Sequence, residues 1–145
     1  DDFVRAELKK HGLQPAPKAS RETLMRRLAL DLTGLPPKPS DEADLNDFID
    51  HLLDSPHYGE HMAVGWLDAA RFADTNGYQV DRDRELWPWR NWVIKAFNQN
   101  MPFNEFTVEN LAGDLLPEPT LEQQIASGFN RCNITTNEGG TSMDA

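Results

Sequence analysis

His57-Tyr-Gly-Glu60-His61 is the first constellation in this sequence whose residue types and spacing could do chemistry. Two imidazoles four residues apart share a helical face, where they could bind Zn²⁺ while the intervening Glu serves as base, as in the H-x-x-E-H arrangement of inverted zinc peptidases. Pro56 and Gly59 place the motif in a first helical turn, and no third ligand stands out. A five-residue pattern also arises readily by chance, so a solvent-facing helix start is the expectation.

The second constellation is the loop Asp74-Thr-Asn76-Gly-Tyr78, followed by Asp81, Asp83 and Glu85. Counted as an EF-hand loop, Asp74, Asn76 and Glu85 fall at liganding positions, but Tyr78 and Arg82 occupy two others and the glycine comes too early. What stays open is an irregular oxygen-rich site, with Asp74, Asn76 and Asp81 as ligands and Ca²⁺ as the candidate ion. Set against it, Asp74 and Asn76 can bond their own loop backbone while Gly77 takes a positive φ, and this is the expected role.

Around this loop lie Arg71, Arg84 and Arg90, a set able to hold a carboxylate, sulfate or phosphate. The expectation is instead a structural ion network with Asp68, Asp74 and Asp81, including an Asp68–Arg71 pair at helical spacing. All four tryptophans fall between Trp66 and Trp92. With Tyr78, the later three could stack on a saccharide. Trp89 and Trp92 share helical spacing with Val93 and Phe97 and read as core, which leaves Trp87, just before Pro88, as the exposed one. The candidate ligand-binding set is therefore Asp74, Asn76, Tyr78, Asp81, Arg84, Trp87 and Arg90. A polysaccharide hydrolase using two carboxylates from Asp68, Asp74, Asp81 and Glu138 is the enzymatic alternative, and it needs an open cleft between them. No nucleophile-elbow pattern is present. Cys132 stands beside Arg131, yet reads as a small packed apolar residue.

The elements that must hold these residues are helices. Phe3, Val4 and Leu8 begin a short one ending near Gly12, and prolines follow within residues 14–19. Ser20 caps a second, with Leu24, Leu28 and Leu32 on one face, stopped by Gly34-Leu35-Pro36-Pro37. A third runs from Ser40 to about Ser55, with Asp41 and Glu42 in its first turn. A fourth spans about His57 to Ala73 and is rich in small residues. Pro88 opens a fifth, Asn104 caps a sixth, and Thr120 with Gln123 forms a capping box for a seventh ending near Gly128. No segment sustains period-two alternation. The fold class expected is all-α: an irregular bundle of six or seven short helices with one long polar loop.

At 145 residues the chain suits one domain with its own core. A formal charge of −10 argues against binding nucleic acid or anionic membrane surfaces and fits a cationic partner, or simply solubility. One cysteine permits no internal disulfide, and no apolar run reaches the length of a membrane span. Beginning at Asp1-Asp2-Phe3, residues 1–145 read as a single helical domain forming the N-terminal part of a longer domain or chain.

Six stretches, in order, carry a resemblance: Leu30-Asp-Leu-Thr-Gly-Leu-Pro-Pro37, Leu53-Asp-Ser-Pro-His-Tyr-Gly-Glu60, Trp66 to Tyr78, Trp87-Pro-Trp-Arg-Asn-Trp-Val-Ile94, Leu111-Ala-Gly-Asp-Leu-Leu-Pro117 and Thr136-Asn-Glu-Gly-Gly140. Together they resemble the domain of unknown function of planctomycete cytochrome-c-type proteins, the PSCyt type. The resemblance implies an exported bacterial protein, periplasmic or extracellular. It implies as partners the other domains of one polypeptide, among them a haem-c module and carbohydrate-binding modules. It places haem c on a downstream region and no cofactor within this chain. His61 stands where that family pattern has Arg more often, which weakens the zinc reading. The function expected is a helical accessory or ligand-binding module without self-contained catalysis. A Ca²⁺-stabilised structural module is the other alternative.

Overall fold

The computed structural model describes residues 1–38, 44–78 and 81–134. Seven α-helices appear among them, α1 (Asp2–Lys10), α2 (Arg21–Thr33), α3 (Leu45–Leu53), α4 (Pro56–Ala70), α5 (Trp87–Asn98), α6 (Phe103–Ala112) and α7 (Leu121–Ala126), with 3-10 turns at Gly113–Leu115 and Ser127–Arg131. The fold is all-α, as the apolar periodicity predicts. One isolated antiparallel bridge, Thr75 with Asp83, is the only β pairing among the described residues.

Helix ends follow local chemistry. Ser20 Oγ accepts from the Thr23 amide to start α2, and Gly34 ends it in the left-handed region at φ 69°. Thr120 and Gln123 close the capping box of α7. Three boundaries differ from expectation. The expected start at Ser40 lies outside the described residues; α3 begins at Leu45, where Asp44 Oδ1 accepts from the Asn46 amide at 2.9 Å. Helix α6 begins one residue before Asn104, with Pro102 at the cap position and no side-chain cap.

Helix α4 stops at Ala70 because Arg71 turns left-handed (φ 58°) and the Phe72 amide reaches back to Leu67 O at 2.9 Å. That turn lays the Phe72 ring against Trp89, with centroids 6.1 Å apart.

Two cores result. The larger joins α4 to α7 around Trp89, Trp92, Val93 and Phe106, with Phe106 touching the rings of Trp66, Trp92 and Phe97. The smaller joins α2 and α3 through Ala29, Phe48 and Leu52. Helix α1 buries nothing.

Helices α4 and α5 cross most closely at Gly59, where any Cβ would collide with Ile94 O and the Asn98 side chain. Asn98 exploits this approach. Its Oδ1 accepts from the Gly59 amide at 2.7 Å and its Nδ2 donates to Pro56 O at 3.1 Å. An orphan amide of the α4 first turn is thus capped by a side chain 39 residues later.

Candidate functional site

The segment leaving α4 is a narrow double-backed loop whose two arms are zipped by hydrogen bonds. Arg84 N donates to Asp74 O at 2.8 Å, and Asn76 N donates to Arg82 O at 3.0 Å, flanking the Thr75–Asp83 bridge. Gly77 takes φ 77°, and its amide donates to Asp81 Oδ1 at 2.7 Å. Asp74 Oδ1 accepts from the Leu86 amide at 2.9 Å, fixing the loop's exit just before α5. Leu86 is the loop's apolar anchor in the larger core. Arg84 ties the loop to the far end of the chain, its Nη1 donating to Asn133 O at 2.9 Å and its Nε to Ala73 O at 3.4 Å.

The structure therefore gives three of the seven candidate side chains, Asp74, Asp81 and Arg84, backbone partners instead of ionic ones. Asp74 and Asp81 hold amides, Arg84 holds carbonyls, and Arg90 donates to the Asn91 side chain at 3.1 and 3.2 Å. The expected ion network is corrected: among the described residues no salt bridge joins any of Arg71, Arg84 and Arg90 to Asp68, Asp74 or Asp81. Asp68 and Arg71 are both exposed, and Arg71 sits at the helix-ending turn, which takes it off the helical ladder that an Asp68 pair needs. Glu138 lies outside the described residues.

Tyr78 and Trp87 remain exposed, at the tip and the root of the loop. Trp89 and Trp92 are core. Trp87 lines a shallow hollow of about 230 Å³ with Pro88, Asn91, Lys95 and Glu122. Among the described residues, Asp74, Asn76, Tyr78, Asp81, Arg84 and Arg90 line neither this hollow nor those of about 310, 410 and 670 Å³.

A cleft at the loop's exit is built from other residues. About 410 Å³ in volume, it is lined by Glu85, Pro88, Asp114, Gln124, Asn130 and Arg131 over a floor that includes Trp89. Glu85, Asp114 and Arg131 are exposed and make no ion pair among the described residues. Arg131 and Asp114 carry no periodic signal of their own; only the Leu111–Pro117 motif could have drawn attention to this wall.

Behind the cleft, Trp89 Nε1 donates to the buried Asn110 Oδ1 at 3.1 Å, and Asn110 Nδ2 donates to Phe106 O at 2.7 Å. The buried Glu109 accepts from Gln123 Nε2 at 3.0 Å. These bonds lock α5, α6 and α7 together and satisfy polar groups that would otherwise be costly to bury.

The H-x-x-E-H residues separate. His57 is exposed and bonds Glu60, the would-be base, at 2.8 Å. His61 is half-buried, its Nδ1 2.7 Å from where a Cβ on Gly34 would stand, so it packs on the turn that ends α2. No group of three or more His, Cys, Asp or Glu able to hold a metal is found among the described residues. The three oxygen-ligand candidates Asp74, Asn76 and Asp81 share one loop, and each carboxylate of the two spends one oxygen on an amide. Cys132 is buried, which pushes its thiol above the ordinary range. Arg84 pulls it back in part.

The order and content of these elements match a known family along their whole length. The chain belongs to the PSCyt2 family, described as a protein of unknown function (DUF1549), whose profile matches residues 1–145. No curated protein and no solved structure matches the chain. No helix among the described residues is long and apolar enough to cross a membrane.

Proposed function

We propose that this chain is a helical accessory module of an exported, cytochrome-c-type multidomain protein, presenting residues 74–90 to a ligand or to a neighbouring domain without catalysis of its own. The observation that carries the reading is how the loop is spent. Asp74, Asp81 and Arg84 hold backbone groups, while Tyr78 and Trp87 face outward. An exposed Tyr and Trp on a fixed frame offer large contact area at little cost in side-chain entropy. The cleft of about 410 Å³ beside them supplies a concave wall of both charge signs.

The test is binding by the chain with its native flanking domains attached, using a panel of polysaccharide fragments and the separately produced haem-c module as probes. The double variant Tyr78→Ala/Trp87→Ala should weaken the bound probe by about tenfold or more, as aromatic anchors do, while the thermal midpoint holds. Unchanged affinity would sink the reading, and so would release of new reducing ends from a polysaccharide by this domain alone.

A further inference from the structure

From Ala96 to Asn130 the chain carries five acids and no Lys or Arg. This stretch folds into α6, the Gly113–Leu115 turn and α7, which pack on one another. Two of the acids are committed internally: Glu109 is buried against Gln123, and Glu122 pairs with Lys95 at 3.1 Å. Glu105, Asp114 and Glu118 are exposed and have no ion pair among the described residues.

The same elements expose apolar side chains. Val108 and Leu111, three apart, share a face of α6, and Leu115 follows in the 3-10 turn; they are 49, 56 and 79% exposed. Phe103 and Leu121, at the starts of α6 and α7, are 72 and 71% exposed. Isolated apolar residues on a surface need no explanation, but several exposed apolar side chains in a stretch whose own charges are all acidic have the anatomy of an interface.

We infer that the α6–α7 face is a docking surface for a partner protein whose contact region is apolar at its centre and ringed by Lys and Arg. Charge decides the occupant. A second copy would meet its own acids across the seam, and anionic lipid or nucleic acid would be repelled. A basic partner gains on both counts, through apolar burial and complementary potential. The face borders residues 74–90, Trp87 sharing a hollow with Glu122 of α7, but the two readings use different side chains and the variants below separate them.

The experiment uses an amphipathic helical peptide of Leu and Lys as the probe, with a Leu and Glu peptide of equal length as control. The Lys peptide should bind and the Glu peptide should not, with affinity falling about tenfold between roughly 50 and 500 mM salt as the charges are screened. Leu111→Ser/Leu115→Ser should weaken it about tenfold or more, and Glu118→Lys by several-fold, with thermal midpoints unchanged for side chains this exposed. Trp87→Ala should leave binding intact. The proposal is overturned if both peptides bind equally, or if the leucine variant and Glu118→Lys bind like the parent. Loss of binding in Trp87→Ala, concentration-dependent self-association by sedimentation, or capture on anionic vesicles would overturn it too.

Discussion

Residues 74–86 and 87–98 follow one another directly, yet they are stabilised by different physics. The first segment is a ladder of hydrogen bonds with one apolar anchor among its described residues, Leu86. The second is a helix that buries Trp89, Trp92, Val93 and Ala96. Charged residues fasten the first segment, whereas in the second Trp89 and Trp92 are core and Trp87 is contact surface. Composition alone does not separate those roles. Whether a side chain falls on the periodic face of a helix does.

The contrast predicts a graded response to mutation. Trp89→Ala, which empties the core and strands Asn110, should cost about 3–5 kcal/mol, read as a large drop in the denaturant midpoint. Trp87→Ala, two residues away, should stay within about 0.5 kcal/mol. Equal losses would erase the distinction between the segments. Asn98→Ala should cost about 1–3 kcal/mol by leaving the Gly59 amide unmet at the α4–α5 crossing.

Asp74→Ala removes the acceptor of the Leu86 amide and should cost about 1–2 kcal/mol, with faster exchange at Leu86, whereas Asp74→Asn keeps an acceptor and most of the stability. A smaller effect concerns Cys132. Its raised thiol pKa means the neutral form is favoured when folded, so this stabilisation is full below the ordinary thiol range and is lost as pH rises through the raised value. Iodoacetamide at pH 8 should therefore label Cys132 much more slowly in the native chain than in urea. Smallest of all, EDTA or added Ca²⁺ should leave the thermal midpoint in place, because Asp74 and Asp81 already hold amides; a rise with Ca²⁺ would revive the metal site.

Much of the fold is legible in the sequence because its signals are local. Ser20, Gly34, Pro88 and the Thr120–Gln123 pair mark helix ends through bonds within a few residues. The spacing of Trp89, Trp92 and Val93 likewise announces a buried face. The site was less legible because its bonds are long-range. Nothing near Asn98 indicates that it caps a helix 39 residues earlier, and nothing near Arg84 points to Asn133. Charge counting suggested ion pairs, whereas the loop's backbone offered closer partners. Arg71 looked helical until its left-handed turn took it off the ladder.

The Asn98 bonds to Pro56 and Gly59 also bear on how this chain can change over time. They join the far end of α5 to the beginning of α4, so the antiparallel pair holds its register without help from the loop between. Lengthening a closed loop costs slowly, about 0.6 kcal/mol per doubling. Insertions at the exposed tip near Tyr78 should therefore be absorbed without disturbing the helices. The domain could acquire new loop sequences while keeping one scaffold.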